Sequence, residues 1–133
     1  MINNYKKGEK GERPWGYWHV DEVGDEFVEK TIAVNPGEQL SLQSHEHRSE
    51  KWEIIEGVAE VTLNESAIAM KKGETVEIPR GMKHSLKNLG SEVLLVKEIQ
   101  SGKILDEDDI VRYKDSYGRC SVGCKCKIQS RVT

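Results

Sequence analysis

Turn-forming residues interrupt this chain about every eight to twelve positions, and the runs between them alternate apolar and polar side chains. Gly24 within residues 21–25, Asn35-Pro36-Gly37-Glu38, Asn64-Glu65-Ser66, Pro79-Arg80-Gly81 and Leu89-Gly90-Ser91-Glu92 mark the turns. Proline presets φ and glycine permits positive φ, so these clusters reverse the chain at little cost. The runs 26–34, 58–63 and 75–78 repeat with a period of two, which sends successive side chains to opposite faces of a strand. Residues 93–100 are apolar on both faces, as a strand covered twice would be. About ten short strands of this kind predict an all-β chain, a sandwich or barrel.

The 133 residues suit one domain. A hydrophobic share of 36% with a single Phe makes a lean core. The net charge of −3 comes without a basic stripe, which argues against a nucleic-acid partner. No run reaches the apolar length of a membrane span and the start is polar, so no membrane contact and a cytoplasmic location are expected. Residues 1–12, rich in lysine, glutamate and glycine, are expected to form a flexible arm. The folded domain is expected over 13–119, ending in a short C-terminal segment, with a flexible tail over 120–133. That tail carries Cys120, Cys124 and Cys126. Three thiols lack the fourth ligand of a closed tetrahedral site, so a reduced, unligated tail is expected.

Chemistry concentrates in residues 41–84. His45 and His47 are two apart, which on a strand aims both imidazoles at one point. Ser41 and Gln43 share their parity. Glu50 shares a face with Trp52 and Ile54, so it enters the interior, where a lone carboxylate calls for a cation. Glu53 is the rival carboxylate, on the opposite parity. After the turn at 79–81, His84, Leu86 and Asn88 fall on one face. Three imidazoles and one carboxylate, His45, His47, His84 and Glu50, suit one first-row divalent ion (Zn, Mn, Fe, Co or Ni) with positions left open. His19 reads instead as an exposed or aromatic-packed strand residue. Leu40, Leu42, Leu95 and Ile99 on outer parity suggest a second covered surface, and hence a homodimer.

Gly73, Pro79, Gly81, His84 and Asn88 match the second motif of the cupin superfamily in full. His45, His47, Glu50 and Gly57 match its first motif with two departures. Seven residues intervene between Gly37 and His45 where the motif has five, and only two separate His47 from Glu50. The resemblance implies a single jelly-roll β-barrel, a cupin. It sharpens with Arg13-Pro-Trp-Gly-Tyr, Leu40-Ser-Leu-Gln, His47-Arg-Ser-Glu-x-Trp52, Glu98-Ile-Gln-Ser-Gly, Glu107-Asp-Asp-Ile-Val-Arg112 and Asp115-x-Tyr-Gly-Arg119. Together these resemble the type II mannose-6-phosphate isomerases, in which this cupin is often joined to an N-terminal mannose-1-phosphate guanylyltransferase. Several members carry His where Lys51 stands. No nucleotidyltransferase motif occurs in these residues, so guanylyltransferase activity is expected of another chain.

That resemblance implies interconversion of mannose 6-phosphate and fructose 6-phosphate by proton transfer between C2 and C1 through an enediol. The metal site would polarise the carbonyl. Glu98, on the inward face with Gln100, is the candidate base, against a plain salt-bridged strand residue. Arg112 is the candidate for phosphate, with Arg48, Arg80, Lys83 and Arg13 as alternatives, and Ser41 and Gln43 are candidate substrate contacts. The acidic run 106–109 reads as a helix N-terminus or as a group orienting Arg112. Two other functions are open to such a barrel: an iron-dependent dioxygenase, or a non-catalytic sugar-phosphate-binding module.

Overall fold

The computed structural model describes residues 2–114; the segment 115–119 and the cysteine tail lie outside them. The chain runs through β1 (Ile2–Asn3), β2 (Lys10–Arg13), β3 (Gly16–Val23), β4 (Phe27–Val34), β5 (Leu42–Ser44), β6 (Arg48–Glu56), β7 (Val58–Leu63) and β8 (Ser66–Lys71). It continues through β9 (Thr75–Ile78), β10 (His84–Asn88), β11 (Leu94–Gly102), β12 (Ile104–Leu105) and β13 (Val111–Lys114). One sheet has the order β2-β3-β4-β11-β6-β9 and the other β13-β5-β10-β7-β8. A short parallel pair, β1 with β12, stands apart from both. No helix occurs among the described residues, and none is therefore long and apolar enough to cross a membrane.

The two sheets enclose one core that draws Trp52, Ile54 and Val96 from the first and Val61 and Leu86 from the second. Burying each large aliphatic side chain stabilises the fold by roughly 1.5–3 kcal/mol. Strand alternation decides what enters this space. On β6, Arg48, Glu50, Trp52 and Ile54 are buried while Lys51 and Glu53 are exposed. On β11, Leu94, Val96, Glu98 and Gln100 are buried. The register sets Glu50 opposite Gln100, Trp52 opposite Glu98 and Ile54 opposite Val96. The interior therefore has an apolar half and a polar half, and the polar half holds the site.

Two turns position it. Leu63 pairs with Ser66 across a two-residue hairpin whose Asn64 takes φ 54°, a conformation that asparagine tolerates better than most residues. Gly81, at φ 81°, closes the turn before β10, and its amide donates to the His45 carbonyl at 2.9 Å. The second motif is thereby fastened to the first. Asn88 ties three backbone segments together, its amide donating to the carbonyls of Val34 and Glu92 and its oxygen accepting from Gly90.

Three expectations need correction. Residues 1–12 are not a free arm where described: β1 pairs with β12, β2 pairs with β3, and Tyr5 is buried. Its partners are remote in sequence, so local composition concealed them. Leu40, expected on an outer surface, belongs to the core; it precedes β5, so parity counted along that strand does not reach it. The acidic run 106–109 forms a turn instead of a helix start, with the Asp109 amide donating to the Asp106 carbonyl. His19 sits part-exposed on β3 beside Asp21, as expected.

Candidate metal centre

His45, Glu50 and His84 converge in the polar half of the interior, all buried, with one ligating atom from each within 4.8 Å of the others. His45 Nε2 lies 3.3 Å from Glu50 Oε2, and His84 Nε2 lies 3.4 Å from Glu50 Oε1. The tautomers follow from the opposite side of each ring. His45 Nδ1 is 2.6 Å from the Asp109 carbonyl and His84 Nδ1 is 2.9 Å from the Met82 carbonyl. A carbonyl only accepts, so both Nδ1 atoms carry hydrogen, and both Nε2 atoms face the carboxylate. Backbone carbonyls behind histidines are a common way to fix a metal ligand's tautomer and orientation.

The donor set fits a divalent ion. Glu50 Oε1 is buried with no hydrogen-bond partner, and His84 Nε2 faces it at 3.4 Å. A cation between them would satisfy both. Burial pushes the His45 pKa down to about 4, and the charges of Arg48 and His84 add to this. His45 is therefore neutral and able to ligate at neutral pH. His84 moves the other way: burial lowers its pKa, but its pairing with Glu50 outweighs that and raises it. Burial works against the charged form of Glu50, yet Arg48, His45 and His84 hold it well below the usual carboxylate range. Three protein ligands leave open positions, the arrangement of catalytic sites.

His47 does not join this group. Parity counting assumes a continuous strand, but β5 ends at Ser44 and the chain bends through 45–47 before β6 begins. The bend leaves the His47 side chain 48% exposed, 4.0 Å from Glu46, and buries Arg48 in its place. Arg48 Nε donates to Glu50 Oε2 at 2.8 Å, and its Nη2 is 3.2 Å from His45 Nε2. Glu53 is exposed, which settles the carboxylate in favour of Glu50.

Beside the triad is a small cavity of about 50 Å³. Glu98 and Arg48 line it and link it to the triad. Trp52 Nε1 donates to Glu98 Oε2 at 2.8 Å and Gln100 Nε2 to Oε1 at 2.7 Å, which fixes the carboxyl group. Burial and the nearby Glu50 carboxylate raise the Glu98 pKa to about 7. Arg13, Lys30, Arg48 and Arg112 face this space with only Glu98 and Glu107 as carboxyls, so the cavity favours anions. Ser41 and Gln43 line it as expected, with Gln43 Nε2 donating to Ser41 Oγ at 3.0 Å. Lys83 and Arg80 do not line it. Lys83 is exposed with its Nζ 4.5 Å over the Tyr113 ring, and Arg80 lies beside His47 in another groove.

Sequence reasoning missed three contributors. Asp109 accepts the amides of Glu46 and His47 at 2.9 and 3.0 Å while its carbonyl orients His45. Lys30 is 3% exposed and reaches Glu107 at 2.8 Å and the Tyr5 hydroxyl at 3.2 Å. Tyr5 donates in turn to Glu107 and accepts from Arg48 Nη1. Lys30 had a signal: it shares the inward row of β4 with Val28 and Ile32.

The family described as "Mannose-6-phosphate isomerase C-terminal" matches residues 2–115. The chain is 47% identical over 107 residues to the xanthan biosynthesis protein XanB of Xanthomonas campestris pv. campestris, covering 80% of this chain and 23% of that protein. It is 43% identical over 107 residues to a mannose-1-phosphate guanylyltransferase of Escherichia coli K12, covering 80% of this chain and 22% of that protein. The chain thus spans about a quarter of the length of these curated relatives. Its fold is similar to the Schizosaccharomyces pombe Cnp3 cupin domain, with a TM-score of 0.63 and 23% identity over 65% of this chain and 60% of that one. A barrel with the cupin motifs, a match along nearly all of the described residues and relatives of this kind establish that the chain belongs to the mannose-6-phosphate isomerase C-terminal family, a family of the cupin fold.

Proposed function

We propose that this chain is a metal-dependent aldose–ketose isomerase that interconverts mannose 6-phosphate and fructose 6-phosphate. One observation carries the reading. A buried carboxyl with a pKa raised to about 7, Glu98, shares an anion-favouring cavity with Arg48, the residue that touches the metal-ligating triad. A divalent ion held by His45, Glu50 and His84 would supply a Lewis acid for the sugar carbonyl. Glu98 takes the proton from C2 and returns it to C1, and a pKa near the working pH suits both halves of that transfer. Trp52 and Gln100 keep its oxygens from rotating away. Arg112 and Arg13 hold the phosphate, charge-assisted contacts being the strong ones. Trp15 and Trp18, buried in the cavity wall, cover the apolar face of the sugar and exclude water.

The test is a coupled assay for fructose 6-phosphate formation by chelated protein, with each divalent metal added back. Metal-dependent turnover is expected. Glu98→Gln should lower it by about 10²–10⁴-fold while leaving metal affinity within a few-fold. No turnover with any metal, from protein shown to be folded and loaded, would replace this reading with the sugar-phosphate-binding module. A homodimer is also proposed, supported by the exposed apolar residues Val58, Ile68, Leu89 and Val93. Light scattering at micromolar concentration should give twice the 15.1 kDa of the chain, and a monomer's mass would remove the proposal.

A further inference from the structure

Arg48 occupies an unusual place for a cation. Its Nη2 meets His45 Nε2 at 3.2 Å and its Nε meets Glu50 Oε2 at 2.8 Å. His45 Nε2 is the atom with which that ring would hold a metal ion on the triad, and Glu50 Oε2 belongs to the same triad's carboxylate. The His45 lone pair can accept from a guanidinium or bind a metal, and it cannot do both. Two positive charges a few ångströms apart would also repel through a medium with little water. The other end of the guanidinium is tethered, with Nη1 3.3 Å from the Tyr5 hydroxyl and 3.4 Å from the Asp106 carbonyl. Arg48 also lines the cavity that holds Arg13, Lys30 and Arg112.

We propose that Arg48 is a positioning residue that couples metal binding to anion binding: a metal ion displaces its Nη2 edge from His45, and the released edge binds a tetrahedral dianion in the cavity. Metal and dianion then bind cooperatively. By linkage each raises the affinity of the other by the same factor. The mechanism rests on the metal-site geometry, and for its dianion on the phosphate reading above; it needs no turnover. The rest of the network is built for such a motion. Tyr5 accepts from both Lys30 and Arg48, so the tether keeps the guanidinium in the cavity wall when Nη2 lets go.

The experiment is calorimetric titration of chelated protein with zinc, with and without sulfate, against chloride at matched ionic strength. Sulfate serves as a tetrahedral dianion that does not isomerise, so failure here and failure of the isomerase reading are separate results. In the natural protein, sulfate should tighten zinc binding by about fivefold or more, the lower end of usual coupling. Zinc should tighten sulfate binding equally. Arg48→Met keeps the stem and removes the charge. It should bind zinc about tenfold more tightly without sulfate, because the competing cation has gone, and show no sulfate effect. Zinc affinity indifferent to sulfate in the natural protein would overturn the proposal, a result that needs no variant to fold. So would a sulfate effect that persists in Arg48→Met, which would mean that the dianion ligates the metal directly. An Arg48→Met protein that folds and binds zinc no more tightly than the natural one would overturn it as well.

Discussion

Replacing Asp109 by alanine tests whether the acidic turn holds the metal centre in place. Its carboxylate accepts two backbone amides, Glu46 at 2.9 Å and His47 at 3.0 Å, on the segment that carries His45. Hydrogen bonds to a charged group are worth about 1.5–3 kcal/mol net, and partial exposure brings each down to about 1 kcal/mol. Asp109→Ala should therefore destabilise the metal-free chain by about 2 kcal/mol. With a urea m-value of about 2 kcal/mol/M, the midpoint should fall by about 1 M. The Asp109 carbonyl that orients His45 survives the substitution, but the segment facing it loses its anchors. Loss of support behind a ligand costs about 10–100-fold in metal affinity, so calorimetry should show a drop in that range. Asp108→Ala is the control. Its side chain is exposed, and it enters the turn through its backbone, the amide donating to Asp106 and the carbonyl accepting from Ile110. The control should stay within about 0.5 kcal/mol of the natural protein. Unchanged metal affinity in Asp109→Ala, with stability lowered as expected, would refute the clamp and leave Asp109 a turn staple only.

His47→Ala should leave metal affinity within a few-fold, whereas His45→Ala should abolish measurable binding; equal losses would return His47 to the ligand set. Glu107 provides a stability test against pH. Burial raises its pKa, but Lys30 and the Tyr5 hydroxyl outweigh burial and hold it down at about 2. Its unfolded value is about 4.3, so its contribution is full above that value and is lost as the pH falls toward 2. Urea midpoints of the natural protein and Glu107→Gln should differ at pH 6 and converge between about pH 4.3 and 2, and a gap constant with pH would disprove the assignment.

The barrel was legible because β6, β10 and β11 each keep strict alternation, and alternation alone selects Glu50 over Glu53 and sends His84, Glu98 and Gln100 inward. The parity rule broke where the strand broke. At 45–47 the chain bends, and one residue's shift exchanges His47 for Arg48. Asp109 and Tyr5 were hidden for a different reason. Each acts through partners far along the chain, and nothing in an acidic run or a lysine-rich lead-in records what lies opposite after folding. Lys30 lay between these cases: a charged residue in an inward row of apolar ones is a legible anomaly.

The β1–β12 pair and the triad have a consequence for the order of events during folding. Ile2 pairs with Ile104, and Val34 with Leu94, while the three ligands arrive on the segment after β5, on β6 and on β10. Contacts so remote close late and slowly, since loop entropy is spent before they form. An unfolded chain offers no ligand cluster, so a metal ion held by the triad would act on the finished barrel. At a free concentration about one hundred times its dissociation constant it adds about 2.7 kcal/mol to a core that is already closed. If the core closes without the ion, a shortage of metal would leave native, empty barrels in place of misfolded chains.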